Sequence, residues 1–226
     1  MTNKPFKNKY HFVLKLLGFI LLMVLAFIII RLILNKEDNN PRIINQESGF
    51  FNKHNKARQE KQLEFTDTLV SPFNKEEIQH HKSFKYFDID EKYNVKTKFT
   101  VDTTHPPFEM STTTDRKPIY RIYGYLNFSI ADTSYKLTAY QNMGYKNHPE
   151  HGKYLFVPFT DLSNGKFTYG GGRYLDILIP SSNSVFLDFN ETYNPYCAYS
   201  ERWSCPLVPF NNHLNTSINA GEKKYK

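Results

Sequence analysis

The chain contains no G-x-S-x-G, no H-E-x-x-H and no Ser/His/Asp signature. The common hydrolase and zinc-protease arrangements are therefore excluded. Gly170-Gly171-Gly172 is not followed by Gly-Lys-Ser/Thr, and a strand is expected after it instead of a helix, so it is not a phosphate loop. Cysteine is nearly absent, at two residues in 226. The C-x7-C spacing of Cys197 and Cys205 fits no common zinc pattern. His148-Pro149-Glu150-His151 contains the H-x-E of zinc deaminases, but the P-C-x-x-C those enzymes need downstream is missing. No cofactor motif and no metal set is legible. Alanine is scarce while Tyr and Phe number 16 and 19, an excess that favours strands over helices.

Acidic residues are missing from residues 1–36, which hold six Lys/Arg. The net charge of +7 is therefore local: the remaining 190 residues carry 23 basic and 22 acidic groups. A basic excess confined to one end is topogenic, and it argues against nucleic acid as a partner. It flanks the apolar run Leu16–Ile30. The run alone spans roughly 22 Å as a helix, short of a bilayer core of about 30 Å. Extension over 12–34 closes the gap, with Lys15 and Arg31 near the ends, where their side chains reach the headgroups. The competing reading is a cleaved signal peptide, but no small-x-small site follows the run and no cysteine follows it closely. Lys4, Lys7, Lys9 and Lys15 lie on or before one edge, whereas Arg31 and Lys36 are followed by Glu37 and Asp38. The positive-inside rule then predicts a single-pass membrane protein. Residues 1–11 are a basic cytoplasmic segment, 12–34 the transmembrane anchor, 35–46 a linker and 47–226 an extracytoplasmic domain, periplasmic in a Gram-negative cell.

Along that domain, Ser48–Phe65 reads as a charged helix with a weak apolar face (Phe50, Ala57, His54). Asn74-Lys75-Glu76-Glu77 reads as a capping box opening a short helix. Strand alternation starts at Tyr93 and recurs over 120–130 and 135–139, the latter after an Asp132-Thr133 turn. Lys153–Thr160 and Lys166–Tyr169 flank Asn164-Gly165 and predict a hairpin. Arg173–Ile179 and Val185–Asn190 flank Pro180–Ser184 and predict another. The expected class is mainly β (α+β): an antiparallel sandwich or barrel-like domain with short N-terminal helices and an N-terminal transmembrane helix.

The chain from Tyr154 to Lys224 also carries a recognisable set of pieces. These are Pro158, Phe159, Asp161 and Gly165; TYGGGRYLD (Thr168–Asp176); DFN-x-x-YNPYCAY (Asp188–Tyr199); CPLxPxxN (Cys205–Asn212); and AGEK (Ala220–Lys223). In these the chain resembles the prokaryotic domain-of-unknown-function family DUF1684. Ser71-Pro72-Phe73 and Phe84-Lys85-Tyr86-Phe87 are similar to the family's N-terminal part. The resemblance implies a shared fold, with the anchor as an addition to it. The family has no assigned activity, so it implies no catalytic residues.

Alternation puts Arg173 on the face of Leu175, Ile177 and Ile179, and Asp176 on the other face with Tyr174 and Leu178. Polar groups on such strands must be solvated or paired. One reading is a pocket for a small polar or envelope-derived ligand, lined by Arg173, Asp176, Asp188, Asn190, Tyr193, Asn194 and Tyr199. A second is a hydrolase with Asp176 or Asp188 as general base and Arg173 as anion stabiliser, recognisable by a raised carboxylate pKa in a concave site. A third is a structural envelope protein in which an internal Arg–Asp network holds the tail. In an exported domain Cys197 and Cys205 suggest a disulfide, worth roughly 2.5 kcal/mol for so short a loop, with buried thiols, or metal or redox chemistry, as alternatives.

Overall fold

A computed structural model describes residues 41–226, together with Ile29 and Arg31. The basic segment 1–11 and, apart from those two residues, the anchor 12–34 lie outside the described residues, as do residues 35–40 of the expected linker. Among the described residues no helix is long and apolar enough to cross a membrane. The chain divides into two compact units, Met1–Lys53 and His54–Lys226. In the first, the described feature is the start of helix α1 (Pro41–Thr66), with Phe50 and Phe51 meeting edge to face. The helix thus includes residues 41–46 of the segment expected to be a linker.

The second unit is built on one sheet whose strand order is β6-β5-β4-β3-β1-β7. These strands are β1 (Asn94–Val101), β3 (Ile119–Ile130), β4 (Thr133–Asn142), β5 (Tyr154–Asp161), β6 (Arg173–Leu178) and β7 (Ser184–Asp188). All neighbours in that order are antiparallel. Short β2 (Phe108–Glu109) pairs with β3, and β8 (His213–Leu214) runs parallel to β5. The β3–β4 hairpin turns on Ala131 and Asp132, both at positive φ, as a two-residue turn requires. Helix α2 (Lys75–Gln79) opens with the expected capping box between Asn74 and Glu77.

Both hairpins expected downstream are corrected. Lys166–Tyr169 forms turns, because the Asn164 side chain bonds the Asp161 N–H, the Thr168 hydroxyl and the Tyr169 carbonyl, which competes with a ladder. Strands β6 and β7 do not pair with each other; β6 pairs with β5 and β7 with β1, at opposite ends of the order. Only residues 179–183 join them. Five residues reach about 18 Å at most, so the sheet must curl until its edges lie that close. The result is a curled half-barrel, not a sandwich. Its inner face carries the main core, including Leu126, Leu137, Leu155, Val157, Leu187 and Phe189.

A second, aromatic cluster of Phe65, Phe73, Phe84 and Tyr199 lies where α1 meets the C-terminal tail. Helix α1 docks within this unit through His54, Arg58, Lys61 and Phe65, residues at helical spacing on one face. His54 Nε2 is 2.8 Å from Asp188 Oδ2. The Arg58 guanidinium stacks 4.4 Å from the Tyr86 ring centre. Lys61 bonds Tyr199 and Glu222, each at 3.0 Å.

Candidate functional site

Arg173 and Asp176 sit on one strand with side chains to opposite faces, as alternation requires. Arg173 points inward and is fully buried. It donates to Asp161 Oδ2 at 2.9 Å and to the carbonyls of Ile218 and Ala220 at 2.7 and 2.5 Å. Asp161 also accepts the Ser163 N–H at 2.7 Å. Desolvation lowers the Arg173 pKa, opposed by the Asp161 carboxylate. The ion pair therefore fastens the irregular tail to the sheet and reaches no cavity. The glycine run serves the same construction. Gly172 has φ +92°, and a Cβ there would lie 2.7 Å from the Phe159 carbonyl oxygen.

Asp176 points outward, into a cavity of about 1010 Å³. The cavity is lined by α1 residues from His54 onward, by the outer face of β3–β6 and by the 190–196 and 204–206 segments. Seven tyrosines line it, with Phe65 and Phe156. Phe156 is the cross-strand partner of Asp176. Its ring meets Tyr174 edge-on at 4.7 Å and Tyr120 at 5.7 Å. Tyr193 packs edge-on against Tyr174 and donates its hydroxyl to Asp176 Oδ2 at 2.5 Å. The Asp176 side chain is open to solvent, yet protein surrounds the concavity on its other sides. That desolvation raises its pKa above the ordinary carboxylate value, opposed by the Tyr193 hydrogen bond and by His151. Tyr193 is pushed well up by the same burial and by Asp176.

Of the seven residues expected to line a pocket, Asp176, Asn190 and Tyr193 do so. The other four have structural partners. Arg173 is locked to Asp161. Asp188 accepts the Asn190 N–H at 3.0 Å, capping a turn, and faces His54. Asn194 binds the tail through its side-chain amide and the Lys223 carbonyl at 2.9 Å. Tyr199 donates to Glu222 at 2.6 Å. A hydrolase pairing Asp176 with Arg173 is ruled out, because the two side chains lie on opposite faces of the sheet.

The tyrosine walls, His151 and the α1 residues were missed by sequence reasoning. The detectable signal was the 54-58-61-65 spacing on α1 and the shared face of Tyr174 and Asp176. His148 accepts two backbone N–H groups, from Glu150 and His151, which orders the loop that brings His151 to the cavity. Among the described residues, His54, Asp188 and Glu191 place potential metal-ligand atoms within 4.8 Å of one another. The 2.8 Å contact of His54 with Asp188 makes this a lock between α1 and the end of β7.

Cys197 and Cys205 are free thiols, so the expected disulfide is not formed here. The 3-10 turn Tyr196–Ala198 turns the Cys197 N–H onto Cys205 Sγ at 3.1 Å, and the pair meets through hydrogen bonds. That contact holds the Cys197 thiol down to about 7 and pushes Cys205 up.

Residues 79–223 match the family model described as "Protein of unknown function (DUF1684)". Among solved structures, the chain is similar to the solution NMR structure of an uncharacterized protein from Haloarcula marismortui, at 32% identity and a TM-score of 0.60. The match covers 79% of this chain and 96% of that one. No curated protein matches the chain.

Proposed function

The chain belongs to the DUF1684 family of proteins of unknown function, and we propose that it is a membrane-tethered binding protein that holds a small polar ligand in the tyrosine-lined cavity. The observation that carries this reading is Asp176: a solvent-open carboxylate in an aromatic-lined concavity, hydrogen-bonded by one tyrosine and paired with no Lys or Arg among the described residues. Apart from the Tyr193 hydrogen bond, no side chain of the described residues is bonded to it, so its oxygens face the cavity and the solvent. Aromatic walls around a few polar groups are the usual make-up of a small-ligand site. The anchor at 12–34 and the lysines before it support an N-terminus in the cytoplasm and the sheet outside.

The test is native mass spectrometry of the full chain extracted from membranes. An adduct carried by the parent protein and lost from Asp176→Asn is the expected result. An adduct-free parent, or one whose adduct survives Asp176→Asn, contradicts the reading. Extraction by alkaline carbonate with protease protection of an N-terminal tag tests the anchor; release of the chain in carbonate contradicts it.

The raised carboxylate also favours a second reading, general acid–base catalysis by Asp176. Its anion stabiliser would have to be a group other than Arg173. Turnover that disappears in Asp176→Asn while ligand is still bound would select it over simple binding.

A further inference from the structure

We propose that the Asp176 end of the cavity binds an organic cation, a primary or quaternary ammonium group, caged by the aromatic rings around it. This rests on the reading of the cavity as a ligand site and names its ligand class.

The fold already contains one such cage, filled by its own lysine. Lys61 Nζ lies 4.9 Å from the Phe84 ring centre, 5.4 Å from Phe65, 5.3 Å from Tyr199 and 5.6 Å from Tyr193. Glu222 completes it at 3.0 Å. An ammonium is held there by ring faces and one buried carboxylate, the two attractions that best replace its water. Tyr193 is shared with the second arrangement: its ring helps cage Lys61, and its hydroxyl bonds Asp176. Around Asp176 stand Phe156, Tyr174 and Tyr193, with Tyr120 beyond Phe156. Both arrangements join a carboxylate to aromatic rings, but Glu222 is buried and paired with Lys61, whereas Asp176 is open to solvent and no lysine or arginine of the described residues pairs with it.

Among the described residues His151 acts on Asp176 only through space, without an ion pair, so a ligand's permanent positive charge would complete the arrangement. A neutral polyol could hydrogen-bond the carboxylate, but it would bring neither a counter-charge nor a cation for the aromatic rings. A bound ammonium supplies the counter-charge and presents its CH groups to the rings. At about 1010 Å³ the cavity exceeds an ammonium head, so the cation is one end of a larger ligand.

The experiment is calorimetric titration of the full chain, in a polyoxyethylene detergent, with choline, with its neutral isostere 3,3-dimethylbutan-1-ol, and with glucose. Choline is expected to bind about tenfold or more tightly than the isostere, and Asp176→Asn to remove that preference. Circular dichroism of the variant checks that its fold is retained. Equal binding of choline and isostere, or a choline affinity indifferent to Asp176→Asn, overturns the proposal. Binding of glucose or the isostere that needs Asp176 overturns the cation class and leaves the polar-ligand reading standing. Silence from all three probes overturns the cation class, and the adduct measurement above then decides the broader reading separately.

Discussion

Arg173 and Asp176 are three residues apart on β6 and live in opposite circumstances. Arg173 is buried in the half-barrel with a full set of carbonyl and carboxylate partners on its two terminal nitrogens. Asp176 is open to solvent, sits among aromatic rings, and has one hydrogen-bonding hydroxyl with His151 acting through space. The difference separates a charge used in construction from one left open to solvent. A charge whose partners are all supplied by its own chain is finished when the chain folds. On the proposed binding reading, a charge left without a cationic partner in a concave aromatic site is completed by its ligand.

The largest break in this comparison is Arg173→Met. It leaves Asp161 buried and unpaired, and removing one partner of a buried pair costs about 3–5 kcal/mol. Equilibrium denaturation should show a loss of that size, and a loss near zero would mean that the pair is not a lock. Gly221→Ala strikes the same lock through the backbone. Gly221 has φ +71°, and a Cβ would lie 1.9 Å from Thr192 Oγ1. The expected loss is about 2–3 kcal/mol, by strain at positive φ and by displacement of Thr192. Gly170→Ala is the control from the same glycine-rich chain: its Cβ would meet nothing closer than 3.9 Å, so its stability should stay within about 0.5 kcal/mol. If the two substitutions cost the same, the tail lock is misassigned.

Glu222→Gln sharpens the contrast between the filled cage and the open one. Glu222 is 1% exposed and receives Lys61, Tyr199 and the Asn194 N–H. Charge-assisted hydrogen bonds of this kind contribute about 1.5–3 kcal/mol, so thermal unfolding should fall accordingly.

Asp176→Asn should have the smallest effect on stability, with a diagnostic sign. The folded-state pKa of Asp176 is raised above its ordinary 3.8, so the folded protein holds that proton more tightly than the unfolded chain. Its favourable contribution is present below pH 3.8 and is lost as pH rises through the folded value; above it the ionised group opposes folding. The variant should therefore equal or slightly exceed the parent in stability at pH 7, and the advantage should vanish at acid pH. A variant less stable than the parent at neutral pH would make Asp176 a structural residue.

Much of the sheet was legible because alternation is local. The strands at 94–101, 119–130, 133–142, 154–161 and 173–178, and the opposite facing of Arg173 and Asp176, follow from side-chain period alone. The pairing of β6 and β7 was not legible. Pro180–Ser184 carries the same turn chemistry whether the chain folds back on β6 or crosses to β1, and only the curl of the whole sheet decides. The cavity was only half legible for a similar reason. Asp176 and Tyr193 declared themselves as polar groups in an apolar, aromatic stretch, but Tyr86, Tyr120 and His151 arrive from separate elements. Alternation turns Arg173 inward, but its partner, Asp161, comes from the neighbouring strand β5, which alternation within β6 does not reveal.

The most direct test of the division of labour is urea denaturation at pH 7 of the full chain beside its Arg173→Met and Asp176→Asn variants. A loss of several kcal/mol is expected for the first and none for the second. A loss in Asp176→Asn comparable to that in Arg173→Met would contradict that division, because both faces of β6 would then serve the fold alone.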